Sequence, residues 1–219
     1  MTFETEKVDF KKTERKFYYP KKVEVITVPE MTYLTVSGAG EPAGETFQKA
    51  IASLYPVAYA ISMSYKKEDY KIPNFYRFVV PPLEGLWTSK TVPKKDEPLK
   101  KEDFVWKVML RMPEFVTKEV VEWAKEEAER KKKQDFSHVK YEKIEDGFCV
   151  QALHKGSFDE EAQTFAQMEE FAASEGLQLI HRAYHHREIY LSDFRKTAPE
   201  KLKTVLRQYA RVKEEEEKI

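Results

Sequence analysis

The stretch Pro199-Glu-Lys-Leu-Lys-Thr-Val-Leu-Arg207 decides how the chain folds, because its pattern is compatible with two structures. Four apolar residues in and beside it keep the spacing of an amphipathic helix: Leu202, Val205, Leu206 and Tyr209. Thr197-Ala-Pro-Glu200 resembles the start of such a helix. A strand at 201–208 would instead make the second half of the chain repeat the element order of the first half. Periodicity alone favours the helix, and the residues leave the conflict open.

The first half of the chain has the order strand, helix, strand, strand. Residues 23–36 are β-rich and end at the permissive turn Gly38-Ala-Gly40. A helical period follows in Phe47, Ile51, Leu54, Ala58 and Ile61, with a kink or restart expected at Pro56. Residues 74–80 and 104–112 are predicted strands.

The second half begins after a charged helix predicted at 117–133. A strand is expected at 147–155, and a capping box at Ser157–Glu160 opens a helix that stops at Gly176. A long strand is expected at 179–192. If 201–208 is also a strand, the two halves predict an α+β fold of two pseudo-symmetric strand-helix-strand-strand units, with antiparallel sheet and a ligand cleft between them.

The expected organisation is a single domain at 20–210. Its first unit covers 20–113, the linking helix covers 117–133, and the second unit covers 139–210. Residues 1–19 are polar and aperiodic, which predicts an N-terminal arm, and residues 211–219 are predicted to be an acidic tail.

Composition excludes several classes of function. The 219 residues contain 38 Lys and Arg against 38 Asp and Glu, so the surplus of cations that nucleic-acid and anionic-membrane binders need is missing. A single cysteine, Cys149, permits no internal disulfide and is expected to be a buried apolar residue. No signal peptide precedes the charged N-terminus, which predicts a cytoplasmic protein.

Strand alternation brings several reactive side chains onto one face. Tyr184, His186, Glu188 and Tyr190 share a parity, and Ile189 and Leu191 take the opposite one. If the first set meets Trp87 and Trp106 across the cleft, a carboxylate lies in an aromatic box suited to a flat, cationic or electron-poor ligand. The alternative is a solvated edge strand in which Glu188 pairs with Arg182.

The remaining candidates are less specific. Glu84 is either a second cleft carboxylate or a residue that stabilises a turn. His181 and His185 have no acidic partner at metal-ligand spacing, so no metal site is expected. No phosphate-binding glycine loop or nucleophile elbow occurs, and no cofactor is predicted.

Six stretches in order resemble the stand-alone GyrI-like (gyrase-inhibitor-like) small-molecule-binding proteins. They are Phe17-Tyr-Tyr-Pro-Lys-Lys22, Val28-Pro-Glu-Met31 with Gly38-Ala-Gly40, Pro81-Pro-Leu-Glu-Gly-Leu-Trp87, residues 106–113, His154-Lys-Gly-Ser-Phe-Asp159, and residues 188–193 with 195–207. The resemblance implies two strand-helix-strand-strand units flanking a ligand cleft, and therefore a strand near 203–208.

The resemblance also implies a function. GyrI-like domains bind lipophilic, often cationic, aromatic compounds, and some stand-alone members hydrolyse the strained ring of spirocyclopropane DNA alkylators. Here it would assign Glu188 as the base that activates water and Tyr190, helped by His186, as the donor to the carbonyl oxygen. The expected ligand-binding residues are Trp87, Trp106, His186, Tyr184, Glu84 and Tyr76.

Other functions of such a domain stay open. A non-catalytic drug-binding or effector-sensing module would use the same aromatic cleft, whereas a gyrase inhibitor would need an exposed protein-binding patch. The expected partner is a small molecule rather than nucleic acid or a membrane, and the chain is expected to be a monomer or a homodimer.

Overall fold

The computed structural model describes residues 6–91 and 100–213. The strands of these ranges are β1 (Glu24–Ala39), β2 (Leu83–Ser89), β3 (Phe104–Met112), β4 (Lys140–Lys155), β5 (Leu177–Ile180), β6 (His186–Tyr190) and β7 (Lys203–Val212). The α-helices are α1 (Phe10–Thr13), α2 (Glu45–Ser62), α3 (Lys118–Lys132) and α4 (Glu161–Ser174). None of these helices is both long enough and apolar enough to span a membrane.

The antiparallel sheet closes into a barrel. Neighbouring strands follow the order β4, β1, β3, β2, β6, β7, β5, and a further pairing of β4 with β7 closes the ring. The short strand β5 pairs with the end of β7 outside the closed ring. Closure pairs both edges of each of the other strands, which removes the unpaired strand edges that promote aggregation.

Helices α2 and α4 cover different parts of the barrel's outer surface. Helix α2 packs its apolar face, which includes Phe47, Ile51 and Leu54, on outward residues of β1, β2 and β3. Helix α4 packs Met168 and Ala172 on β4 and β7. Helix α2 continues through Pro56 without a break. Its buried face packs on the barrel and keeps the helix in place.

Residues 203–208 belong to strand β7, as the family resemblance implies, and not to the helix that the apolar spacing favours; residues 199–201 form a short 3-10 turn before it. Val205 and Tyr209 belong to one apolar cluster, with Ile189, whereas Leu206 and Ala210 pack beneath α4. Because both faces of this strand are buried, its apolar residues do not alternate, and their combined spacing resembles a helical period.

Two of the strands predicted from the sequence are not formed as predicted in the structure. Residues 74–80 form no strand: Asn74 has a left-handed backbone (φ 57°), and only an isolated bridge joins Phe78 to Val8. Strand β2 instead forms just beyond Pro81-Pro82. The predicted strand 179–192 is divided into β5 and β6, with turns and bends between them.

The segment expected to be a polar arm packs against the barrel. Phe10, Phe17 and Tyr18 are buried in a cluster with Ile26, Val28, Cys149, Ile189, Val205 and Tyr209. Arg111 of β3 holds this segment through an ion pair with Glu14, at 2.7 Å between Nη1 and Oε2. Residues 1–5 of the predicted arm and 214–219 of the predicted acidic tail lie outside the described residues.

The barrel interior contains a balanced set of charges. Arg187 donates to Glu84 at 2.6 Å and to Asp146 at 2.7 Å. Arg207 also donates to Asp146, at 3.4 Å, and to Gln151 at 2.9 Å. All of these side chains are buried, so each ionised group depends on its partners in place of water.

Candidate functional site

Strand β6 presents three polar side chains on the outer face of the barrel. His186, Glu188 and Tyr190 alternate with Arg187 and Ile189, whose side chains point to the barrel interior. Strand β2 lies beside β6, with Gly85 opposite Glu188 and Trp87 opposite His186. The site is therefore built where a strand from the first half of the chain pairs with one from the second half.

Glu188 is a buried carboxylate without a lysine or arginine partner among the described residues. Its exposed fraction is 8%, and its Oε1 lies 2.8 Å from Nε2 of His186. An ionised carboxylate can only accept, so the proton on this ring lies on Nε2. Ion pairs with lysine or arginine anchor Glu84 and Asp146 inside the barrel, but Glu188 has no such pair.

Tyr190 connects Glu188 to Trp87. The indole Nε1 of Trp87 donates to the Tyr190 hydroxyl at 2.9 Å, and this hydroxyl lies close enough to Glu188 for the acid to influence its pKa. Burial first, and then the Glu188 carboxylate, raise the pKa of Tyr190 well above its usual value. Gly85 leaves the space for this arrangement: a Cβ there would lie 2.6 Å from Trp87 Nε1 and 2.9 Å from the Tyr190 hydroxyl.

Aromatic rings surround these polar groups. Phe158 and Phe194 pack edge-on against Tyr190, with centroids 5.9 and 5.2 Å away, and Phe165 packs edge-on against His186 at 4.9 Å. Trp87 contacts Phe47 of α2 and Phe104 of β3. This apolar surround excludes water from the carboxylate and strengthens electrostatic interactions within the site.

A second acid, Glu161, lies beside Glu188 and was missed by sequence analysis. It is buried in the first turn of α4, and its Oε1 has no hydrogen-bond partner. Burial first, and then the nearby Glu188 charge, raise the pKa of Glu161 well above its usual range. The capping box that precedes it marks the helix start, but an acid in a first helical turn is usually a solvated group, so the pattern gave no signal of burial.

A surface cavity of about 210 Å³ opens next to Tyr190. Tyr55 and Tyr59 of α2 form one side, and Tyr190 and Phe194 form another. Pro81, Pro82, Asp193 and Arg195 also line it. Glu188, Trp87 and His186 do not line this cavity, so Tyr190 and Phe194 lie between its open space and the buried carboxylate.

The structure does not bring the other expected ligand-binding residues into this group. Trp106 is 1% exposed, donates to the Gly40 carbonyl oxygen at 3.2 Å, and lies over Gly38, where a Cβ would be only 2.3 Å from the ring. Glu84 points into the barrel. The remaining two are at other surfaces: Tyr76 bonds Glu114 at 2.8 Å and Tyr184 packs near Lys107.

The two tryptophans are expected to respond differently to substitution. Trp87→Phe removes the donor to Tyr190 and should weaken ligand binding about fivefold, the cost of a net hydrogen bond of about 1 kcal/mol. Trp106→Phe should lower the free energy of unfolding with little change in affinity, because Trp106 is 1% exposed and reaches the site only through its neighbours Trp87 and Phe47. Fluorescence titration and urea unfolding of both variants measure these effects. Equal losses of affinity would contradict the assignment of Trp87 alone to the site.

Comparisons with known proteins identify the family and the fold of the chain. The sequence model of the GyrI-like small molecule binding domain matches residues 21–207. A crystal structure of a hydrolase from Listeria innocua is 48% identical, covers 94% of this chain and all of its own, and superposes with a TM-score of 0.85. An uncharacterized conserved protein from Listeria innocua is 49% identical, with the same coverage and a TM-score of 0.86.

A more distant structure has the same fold. The EcmrR C-terminal domain is 12% identical, with 88% of this chain and 98% of that domain aligned and a TM-score of 0.52. No curated protein matches the chain.

Proposed function

The chain belongs to the GyrI-like family of small-molecule-binding domains, and from that premise we propose that it binds planar, lipophilic or cationic molecules beside Glu188 and hydrolyses activated cyclopropanes among them. The observation that carries this proposal is the buried Glu188 carboxylate, held by His186 and Tyr190 and left without a lysine or arginine partner among the described residues. The hydrolase name of a Listeria innocua protein 48% identical to this chain supports a hydrolytic activity.

The proposed cleft lies between two pseudo-symmetric units. Each half contributes a long helix, α2 or α4, and the paired strands β2 and β6 join the halves beneath the site. Phe47 of α2 contacts Trp87, and Phe165 of α4 contacts His186. A ligand inserted between these helices would contact aromatic rings on both sides and the carboxylate below.

The proposed reaction opens a cyclopropane fused to a cyclohexadienone. Glu188 removes a proton from water, and the resulting hydroxide forms a C–O bond to the unsubstituted ring carbon. The C–C bond of the cyclopropane breaks, and its electron pair makes the six-membered ring aromatic. The carbonyl oxygen takes up a proton and becomes a phenol, so the net change is addition of one water.

The polar neighbours of Glu188 would prepare it for this step. Trp87 donates to Tyr190, and His186 donates to the carboxylate, which helps to fix its direction. Sequence analysis assigned Tyr190 as donor to the substrate carbonyl. Because its hydroxyl already accepts from Trp87 and lies beside Glu188, we propose that its single proton is directed to Glu188 and that Tyr190 orients the base instead.

The test is incubation of the protein with a spirocyclopropane-containing DNA alkylator, followed by chromatography of the ring-opened alcohol. The expected result is product formation in proportion to protein concentration, well above hydrolysis in buffer. Product at the buffer rate would exclude the hydrolase.

A non-catalytic binding module is the second candidate. The observation that favours it is the cavity beside Tyr190, which is open to solvent without reaching Glu188. In this case the same compound would quench the fluorescence of Trp87 and remain intact during the incubation.

A further inference from the structure

We propose that Glu161 is the general acid of the ring-opening reaction and supplies the proton that the substrate's carbonyl oxygen takes up while Glu188 removes one from water. This inference rests on the proposed hydrolase function and identifies the second catalytic residue of that site.

The position of Glu161 follows from its neighbours on the same segment. Phe158, three residues before it, contacts Tyr190, and Phe165, four residues after it, contacts His186. Phe158 belongs to the single 3-10 turn Phe158–Glu160 that leads into α4, and Phe165 lies one turn along α4 on the same face as Glu161. Tyr190 and His186 flank Glu188 on β6, so these two contacts bring Glu161 close to Glu188, near enough for the Glu188 charge to raise its pKa.

Glu161 donates its proton to no hydrogen-bond acceptor among the described residues. The side chain is 8% exposed, its Oε1 has no hydrogen-bond partner, and no ion pair to it occurs among the described residues. An unpartnered buried polar atom costs free energy, and a catalytic role is one of the reasons for which a protein retains such a group. The raised pKa of Glu161 keeps this carboxyl neutral at pH 7, as a general acid requires.

The other polar groups around Glu188 are poorer proton donors. Trp87 donates to Tyr190, and His186 donates to Glu188, while burial and the Glu188 charge raise the pKa of Tyr190 well above its usual value, so its hydroxyl holds its proton tightly. Glu161 is therefore the acid in this group with a proton to give to a bound molecule. Two neighbouring carboxyls whose surroundings separate their protonation states form an acid and base pair, as in inverting glycosidases.

The step balances as a proton transfer. Glu188 gains the proton of water, the C–O bond forms as the cyclopropane C–C bond breaks, and the carbonyl oxygen takes the Glu161 proton to become a phenol. Return of the proton from Glu188 to Glu161 after product release restores the starting state, and the overall reaction consumes only water.

The kinetic test compares the wild-type protein with Glu161→Gln, using the spirocyclopropane alkylator as substrate. Glu161→Gln should lower kcat about a hundredfold with little change in KM, within the usual range for loss of a general acid. The wild-type kcat should fall as pH rises through the raised pKa of Glu161, and this alkaline fall should be absent from the variant. Glu169→Gln, an exposed acid on the same helix, is the matched control and should leave kcat unchanged.

An infrared measurement tests the same inference without turnover. A protonated carboxyl has a C=O stretching band separate from that of a carboxylate, and the wild-type protein should show it at pH 7. The band should persist in Glu188→Gln and in Glu161→Asp, which keeps the acid, and disappear in Glu161→Gln.

The outcomes separate the two proposals. A band that persists in Glu161→Gln, or wild-type kcat in that variant, would overturn the general-acid role and leave the hydrolase intact. A wild-type protein that forms no product would overturn the hydrolase, and the general-acid role with it.

Discussion

Glu188→Gln is expected to abolish ring opening while leaving ligand binding nearly unchanged. Loss of the general base should lower kcat by about a hundred- to ten-thousand-fold, because glutamine cannot take a proton from water. The amide keeps nearly the same shape and an oxygen that can still accept from His186. Product formation by chromatography gives kcat, and quenching of tryptophan fluorescence gives the dissociation constant.

The ligand in this experiment should be neutral, because the affinity of a neutral ligand does not depend on the negative charge of Glu188. A loss of kcat without a loss of affinity then reports the role of Glu188 in catalysis. Equal losses of binding and turnover would indicate that Glu188 only positions the ligand. Unchanged turnover would exclude it as the base. Glu169→Gln, which removes an exposed carboxylate from α4, should behave like the wild-type protein in both assays.

Of the substitutions proposed for this protein, Arg187→Met is expected to lower the free energy of unfolding the most. Arg187 joins Glu84 and Asp146 inside the barrel, at 2.6 and 2.7 Å. Its removal takes the cation from Glu84 and leaves Asp146 with the longer ion pair to Arg207, at 3.4 Å. Breaking a buried ion pair by removing one partner costs about 3–5 kcal/mol of unfolding free energy. Urea unfolding measures this, and Lys49→Met, which removes a solvent-exposed pair with Glu45, should show no measurable change.

The pH dependence of this loss identifies its cause. Burial alone would raise the pKa of Asp146, but Arg187 and Arg207 outweigh it and hold the pKa below the usual value. A carboxyl with a depressed pKa stabilises the fold above its unfolded pKa, and this stability is lost as pH falls through the folded pKa. The difference in free energy of unfolding between Arg187→Met and the wild-type protein should therefore become smaller below about pH 4, near the ordinary pKa of aspartate. A constant difference across this range would indicate lost packing instead of lost charge.

The site could be predicted from the sequence where one face of a strand is polar and the other apolar. Strand β6 has this pattern, and alternation predicted that Glu188 and Ile189 point to opposite faces, as they do in the structure. Strand β7 is buried on both faces, so its pattern indicated a helix until the family resemblance supplied the strand. Alternation along a strand indicates which face is buried when only one face is. When both faces are buried, the alternation disappears and the pattern no longer distinguishes a strand from a helix.

The rest depended on contacts between distant parts of the chain. Trp106 could not be identified as a core residue from its own strand, because its environment depends on the absence of a side chain at Gly38. Glu84 and Arg187 are separated by 103 residues, and no local pattern shows that they meet. Glu161 is buried because the start of α4 lies against the barrel, where Phe158 contacts Tyr190 and Phe165 contacts His186 of β6.

Closure of the barrel has a consequence for the protein during its synthesis. Strands β1, β2 and β3 emerge early and can pair with one another, but β2 then has one open edge until β6 is made, and β1 until β4 is made. An exposed strand edge on a nascent chain invites pairing with a neighbouring chain. The last strand of the ring, β7, ends at Val212, so a chain truncated before β7 leaves one edge of β6 and one edge of β4 unpaired. Such a product is expected to aggregate, and it would lack part of the strand pairing that holds Glu188 in the proposed site.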